Sequence, residues 1–150
     1  MRVLVLGAYG LIGAEVVRCL ADAGSAVTGL GRNTAVAKRR FPDVAWIEAD
    51  LRQLGTTGAW EPILAECQPE AIVNCAGALQ DSLRDDVRAV QATALKALFQ
   101  AAMARGVDSF VQISAPRAAA SSDTAFMRSK GEADEALMEE PGSATGGGAA

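Results

Sequence analysis

The sequence predicts an α/β fold, a doubly wound parallel sheet of about five strands with helices on both faces. Three observations carry that expectation. Short apolar runs alternate strictly with longer segments of helical periodicity, five of each along the 150 residues. The apolar runs are continuous rather than alternating, as strands covered on both faces must be. The strands are separated by helices, and parallel pairing requires such crossovers, which are right-handed.

The elements follow in order. Val3–Leu6 is a buried strand ending in Gly7. From Leu11 to about Ala23 the residues Leu11, Ile12, Val16, Val17 and Leu20 fall near helical spacing, and Gly24 stops the helix. Ala26–Leu30 is the second strand, and Thr34 to Arg40 a short helix closed by Pro42. Val44–Ala49 is the third strand, followed by Asp50-Leu51 and by a helix between Thr57 and Glu66. Ala71–Cys75 is the fourth strand. Ser82 to Arg105, rich in alanine and leucine, is the longest helix and stops at Gly106. Ser109–Ser114 is the fifth strand, and about Asp123 to Glu139 the last helix. Pro141 to Ala150 contains only Gly, Ala, Ser, Thr and Pro, which cannot bury enough surface to order themselves. Residues 1–140 are therefore expected to form one domain with 141–150 as a flexible tail, and the sheet to be C-terminally truncated, stopping where a sixth strand is due. There is no internal repeat.

Composition narrows the function classes. Half the residues are hydrophobic, enough for a substantial core. The net charge of −4 and the thin spread of Lys and Arg exclude a nucleic-acid face. The one basic cluster, Lys38-Arg39-Arg40, reads as the solvated end of a helix. Histidine is absent, which removes the commonest metal ligand and the usual general base, and no metal site is expected. Cys19, Cys67 and Cys75 form no CxxC pair, so a reducing, cytoplasmic setting is expected; Cys19 and Cys75 sit in apolar patterns and are expected to be buried. No run approaches the ~18 apolar residues of a membrane helix, and the N-terminal apolar run is too short for a signal peptide.

The chemistry concentrates at Gly7-Ala8-Tyr9-Gly10-Leu11-Ile12-Gly13. The spacing is GxxGxxG. Gly7 permits a sharp exit from the strand, Gly10 a close backbone approach to a phosphate, and Gly13 close packing of helix on sheet. A helix opening at Leu11 points its free N–H groups, including those of Leu11, Ile12 and Gly13, and its positive dipole end at a diphosphate. Tyr9 lies inside this turn, its ring expected beside the phosphates. A strand before the glycines and an amphipathic helix after them supply the context of a Rossmann-like nucleotide-binding sheet, strand order 3-2-1-4-5.

An NAD site usually carries Asp or Glu at the end of the second strand to hold the ribose 2′-hydroxyl. Here the chain reads Leu30-Gly31-Arg32-Asn33, without a carboxylate. Arg32 can instead grip a 2′-phosphate bidentately and stack on the adenine. NADP is the expected cofactor, with NAD as the alternative.

With the glycine turn, Asp50-Leu51, Asn74-Cys75-Ala76-Gly77 and Ser114 in hand, the chain resembles the short-chain dehydrogenase/reductase superfamily. It is similar to the extended or atypical branch, near the NAD-dependent epimerase/dehydratase type, and to members related to the nucleotide-binding accessory subunit of respiratory complex I. The resemblance covers about residues 1–140. It implies that Asp50 and Leu51 lie along the adenine, and that Asn74, Ala76 and Gly77 line the cofactor. It also implies that Ser114 and Lys130 belong to the reaction centre, Lys130 contacting the nicotinamide ribose.

The resemblance fails at one position. The family's centre is Ser plus Tyr-x-x-x-Lys, in which the phenol moves a proton while hydride moves to or from the nicotinamide. The corresponding stretch is Phe126-Met127-Arg128-Ser129-Lys130, so Lys130 is in place and Phe126 has no hydroxyl. Loss of general acid–base help typically costs about 10²–10⁴ in rate. Ser129, one residue from Lys130, faces elsewhere on the helix and is assigned no role. Three readings stand: an NADP-dependent oxidoreductase or epimerase-type domain with another proton donor; a non-catalytic NADP-binding, redox-sensing or structural module; and an inactive truncated fragment. The small-molecule substrate is unspecified, and a homo-oligomer through the Ser82–Arg105 helix is an open alternative.

Overall fold

The computed structural model describes residues 1–76, 85–116 and 118–138. Gly77, Ser82, the tail from 141 to 150 and the side chain of Phe126 lie outside the described residues. Five parallel strands form one sheet: β1 (Arg2–Leu6), β2 (Ala26–Gly31), β3 (Ala45–Glu48), β4 (Ala71–Asn74) and β5 (Ser109–Gln112). Five helices alternate with them: α1 (Leu11–Asp22), α2 (Ala35–Arg40), α3 (Thr57–Cys67), α4 (Asp85–Ala104) and α5 (Ala125–Met138). The strand order is β3-β2-β1-β4-β5, as expected from the sequence.

β1 is the centre of the sheet. Leu4 pairs with Thr28 on one side and Ile72 on the other. Successive side chains of a strand point to opposite faces, so β1 supplies both cores. Leu4 and Leu6 join Leu30, Ile72, Trp60, Leu64 and Leu98 on the face covered by α3 and α4. Val3 and Val5 join Val17, Val27 and Ala71 on the face covered by α1. Trp60 is fully buried and its indole N–H donates to the Ala94 carbonyl at 3.0 Å, which satisfies its one polar atom.

Several boundaries differ from the sequence reading. β4 stops at Asn74 and β5 at Gln112, so Cys75 and Ser114 stand just beyond the strand ends. β3 loses Val44 and Ala49. A single 3₁₀ turn, Leu51–Gln53, was not expected; the Asp50 side chain caps it by accepting from the Arg52 N–H at 3.0 Å. α5 starts at Ala125 because Thr124 caps it, its hydroxyl accepting from the Met127 N–H at 3.3 Å.

The cysteine expectation is corrected. Cys19 is exposed and Cys75 half-buried. The buried positions of α1 are Gly13, Ala14 and Val17, and Cys19 lies two residues past Val17. At about 100° per residue that places it on the solvent side. Lys38, Arg39 and Arg40 form the exposed last turn of α2, as read from the sequence. Among the described residues no helix is long and apolar enough to cross a membrane.

Candidate functional site

In an open parallel sheet every strand delivers its C-terminal end to the same edge, and ligands settle where the chain leaves in opposite directions from adjacent strands. Here that point lies between β1 and β4. Residues read as functional from the sequence follow the strand ends along this edge. Gly7 to Gly13 follow β1, Arg32 follows β2, and Asp50 and Leu51 follow β3. Asn74 and Ala76 stand at the end of β4, and Ser114 follows β5.

The β1–α1 corner is built by close approach. Gly7 has φ +67°, a left-handed conformation that suits glycine. A Cβ there would stand 2.9 Å from the Ala76 backbone, so the turn after β1 is pressed against the end of β4. A Cβ on Gly13 would meet the Gly7 carbonyl oxygen at 2.2 Å, so only glycine lets α1 start this close to the strand. Gly10 is the N-cap of α1 and, having no side chain, supplies no capping bond. The first turn carries no acidic residue. The helix's own bonding starts with Ala14 N–H to the Gly10 carbonyl at 2.9 Å. The amides of Leu11, Ile12 and Gly13 precede it and have no intrahelical acceptor. Leu11 is 89% exposed and Ile12 50%, which leaves this end of the helix open.

Tyr9 projects from the same turn toward the end of β2. A Cβ on Gly31 would stand 2.2 Å from Tyr9 Cε1, so the ring occupies the space over Gly31. The Asn33 N–H donates to the Tyr9 hydroxyl oxygen at 3.3 Å. Arg32 is exposed beside it. Asp50 is half-buried and ion-paired with Arg52, which holds its carboxyl below the usual carboxylate range, with Arg32 adding to the effect. Leu51 is half-buried and packs against the α3/α4 core. Glu48 accepts from both the N–H and the hydroxyl of Thr34 at 3.2 Å.

The β4/β5 corner is bonded to itself. Asn74 is fully buried; its Oδ1 accepts from the Ala76 N–H at 2.9 Å and its Nδ2 donates to Gln112 Oε1 at 2.7 Å. Ser114 is exposed and its hydroxyl donates to Asp134. Lys130 is half-buried, and its ammonium donates to the Ile113 carbonyl at 2.9 Å and the Ala76 carbonyl at 3.4 Å. Burial pushes the Lys130 pKa below its ordinary value, opposed by Asp134 and Cys75. Burial likewise raises the Cys75 thiol, which Lys130 opposes. Lys130 thus ties α5 to the ends of β4 and β5, with one of its three N–H donors left for a ligand.

The sequence reading missed two supporting residues. Asp134 lies four residues after Lys130, the helical spacing that shares a face, and that spacing could have found it. Gln112 is the register partner of Asn74, which only the strand pairing reveals.

Comparisons with known proteins agree with this geometry. The NAD dependent epimerase/dehydratase family model matches residues 3–141. No curated protein matches by sequence. Among solved structures, the Bordetella bronchiseptica enzyme WbmG, in complex with NAD and UDP, superposes with a TM-score of 0.77 at 18% identity over 94% of this chain and 50% of that one. The Thermotoga maritima UDP-glucose 4-epimerase, with UDP-glucose, gives 0.72 at 18% identity over 92% and 49%. A putative NAD-dependent epimerase/dehydratase from Bacillus halodurans gives 0.74 at 22% identity over 93% and 65%. These likenesses show the fold, and the chain spans about half the length of the first two structures. A glycine turn on the central strand, the strand order and a family match across nearly the whole chain lead to one conclusion: the chain belongs to the NAD dependent epimerase/dehydratase family.

Proposed function

We propose that this chain binds a nicotinamide dinucleotide along the C-terminal edge of its sheet, NADP being the form it takes, as the nucleotide-binding part of an oxidoreductase or epimerase-type protein. The observation that carries this reading is the opening of α1. Its first turn has neither a capping side chain nor an acidic residue, and the glycines leave room where a Cβ would stand. A diphosphate supplies the charge and acceptors that such a helix end lacks. Arg32 and the missing carboxylate at the end of β2 support a 2′-phosphate. The adenine would lie by Asp50 and Leu51, and the nicotinamide end toward Asn74, Ala76, Ser114 and Lys130. When bound, the nicotinamide supplies hydride chemistry. The chain's own residues orient it: Lys130 offers its remaining N–H to a ribose hydroxyl, and Ser114 presents its hydroxyl to a small-molecule substrate. The three free thiols fit a reducing, cytoplasmic compartment.

A second reading, a non-catalytic NADP-binding module, is favoured by Phe126 standing where the family carries tyrosine. Thermal melts with NADPH and with NADH test the shared claim. At a ligand concentration of about 100 Kd, NADPH should raise Tm by roughly 5–10 °C. Gly10→Asp, which puts a carboxylate at the phosphate position, should abolish the rise. An equal rise in that variant would refute the assigned turn, and a rise with NADH alone would refute the choice of NADP. Phe126→Tyr, assayed for NADPH oxidation over a carbonyl panel, separates the two readings. Turnover confined to the variant marks a binding module, and turnover in the parent marks an enzyme with another proton donor.

A further inference from the structure

The geometry points to Tyr9 as the residue that selects the phosphorylated dinucleotide, its phenol donating a hydrogen bond to the 2′-phosphate beside Arg32. This rests on the dinucleotide reading above and adds a specificity determinant to it.

The end of β2 is where a ribose 2′ substituent is read, and a carboxylate there selects a hydroxyl. This chain places Gly31 at that point and fills the space a side chain would take with the ring of Tyr9. The ring is held from two sides. Gly31 lies beneath it, and the Asn33 N–H donates to its oxygen at 3.3 Å. A phenol both accepts and donates. Because it accepts from Asn33, its own proton is left to point outward, and Tyr9 is 39% exposed. Tyr9 therefore spans the two halves of the site: its backbone lies in the glycine turn and its hydroxyl at the strand end.

The neighbouring carboxylates already hold protein partners. Glu48 Oε2 takes both donors of Thr34, and Asp50 is paired with Arg52. A ribose 2′-hydroxyl would have to share carboxylates that already accept from the protein. A 2′-phosphate finds two donors, the Tyr9 hydroxyl and the Arg32 guanidinium, which has no ion-pair partner among the described residues. Charge-assisted bonds of this kind are the stronger class, so the corner discriminates by donor supply.

Titration of the full chain with NADPH, NADH and the fragments 2′,5′-ADP and 5′-ADP tests this. Tyr9→Phe keeps the ring over Gly31 and removes only the O–H. It should weaken NADPH and 2′,5′-ADP about tenfold, the loss of one hydrogen bond to a charged group. NADH and 5′-ADP should be unchanged. Gly31→Ala, which displaces the ring without touching its chemistry, should reproduce the same selective loss. Wild type that binds NADPH but shows equal losses for both dinucleotides, or none, in Tyr9→Phe overturns the inference alone. Wild type that binds neither dinucleotide overturns the dinucleotide reading and this inference with it.

Discussion

The two corners flanking the switch between β1 and β4 treat their polar groups in opposite ways. At the β1–α1 corner the first helical amides have no cap, and glycines keep the approach clear. At the β4/β5 corner each named polar side chain already has a protein partner: Asn74 with Gln112, Ser114 with Asp134, and Lys130 with two carbonyls. Groups without partners gain free energy from a ligand that supplies them, whereas groups already bonded must exchange one partner for another. On the proposed reading the first corner would therefore supply the affinity. The second is built for rigidity, and on the proposed reading a substrate at Ser114 would compete with Asp134 for its hydroxyl. That arrangement would suit a fold that binds nucleotide whether or not it turns over.

The largest way to break the contrast is to close the open corner from within. Gly13→Val places carbon where the Gly7 carbonyl stands, 2.2 Å from an ideal Cβ. Overpacking against backbone should cost about 3 kcal/mol or more and lower Tm by roughly 10 °C, as read in a thermal melt. An unchanged Tm would show that the turn yields easily and that its spacing is not set by contact. A smaller effect should come from the closed corner. Lys130→Met removes a half-buried ammonium whose folded pKa is depressed, chiefly by burial. A lysine lowered on folding holds fewer protons folded than unfolded as pH climbs toward its ordinary 10.5. Stability of wild type relative to Lys130→Met should then rise as pH climbs toward that ordinary value. Urea melts of both proteins measure it, and a flat difference would show that the ammonium is not desolvated. The smallest effect is chemical. Iodoacetamide at about pH 8 should label Cys19 first. Cys67, its thiol pushed up to about 11 by burial, has about one thiolate in a thousand at that pH. Cys75 is likewise raised by burial inside the closed corner, and equal labelling of all three would show that corner to be open.

The same contrast explains how much was readable in the chain. Strand, glycine turn and helix of the open corner are consecutive residues, so spacing and composition suffice. Gly7, Gly10 and Gly13 stand where the sequence placed them. The closed corner is assembled from β4, β5 and α5, which are distant in sequence. Gln112 meets Asn74 only through strand register. Asp134 meets Ser114 only because α5 returns over the end of β5. Cys19 was misplaced for a related reason. Apolar spacing gave α1 a wide covered face, whereas the sheet covers a stripe through Gly13, Ala14 and Val17, flanked by the partly buried Val16 and Leu20, and Cys19 lies outside it. The path of Tyr9 toward Gly31 was invisible locally, since it depends on how β2 runs beside β1.

The central position of β1 has a consequence during synthesis. β1 emerges before both of its neighbours in the sheet, and one of them, β4, begins only at Ala71. Gly7 abuts the backbone of Ala76, so a nascent chain holds an unfinished pocket until that residue has emerged. Long-range pairing of this kind is slow to close. On the proposed reading, nucleotide would therefore capture the growing polypeptide only once the fourth strand has slotted in beside the first.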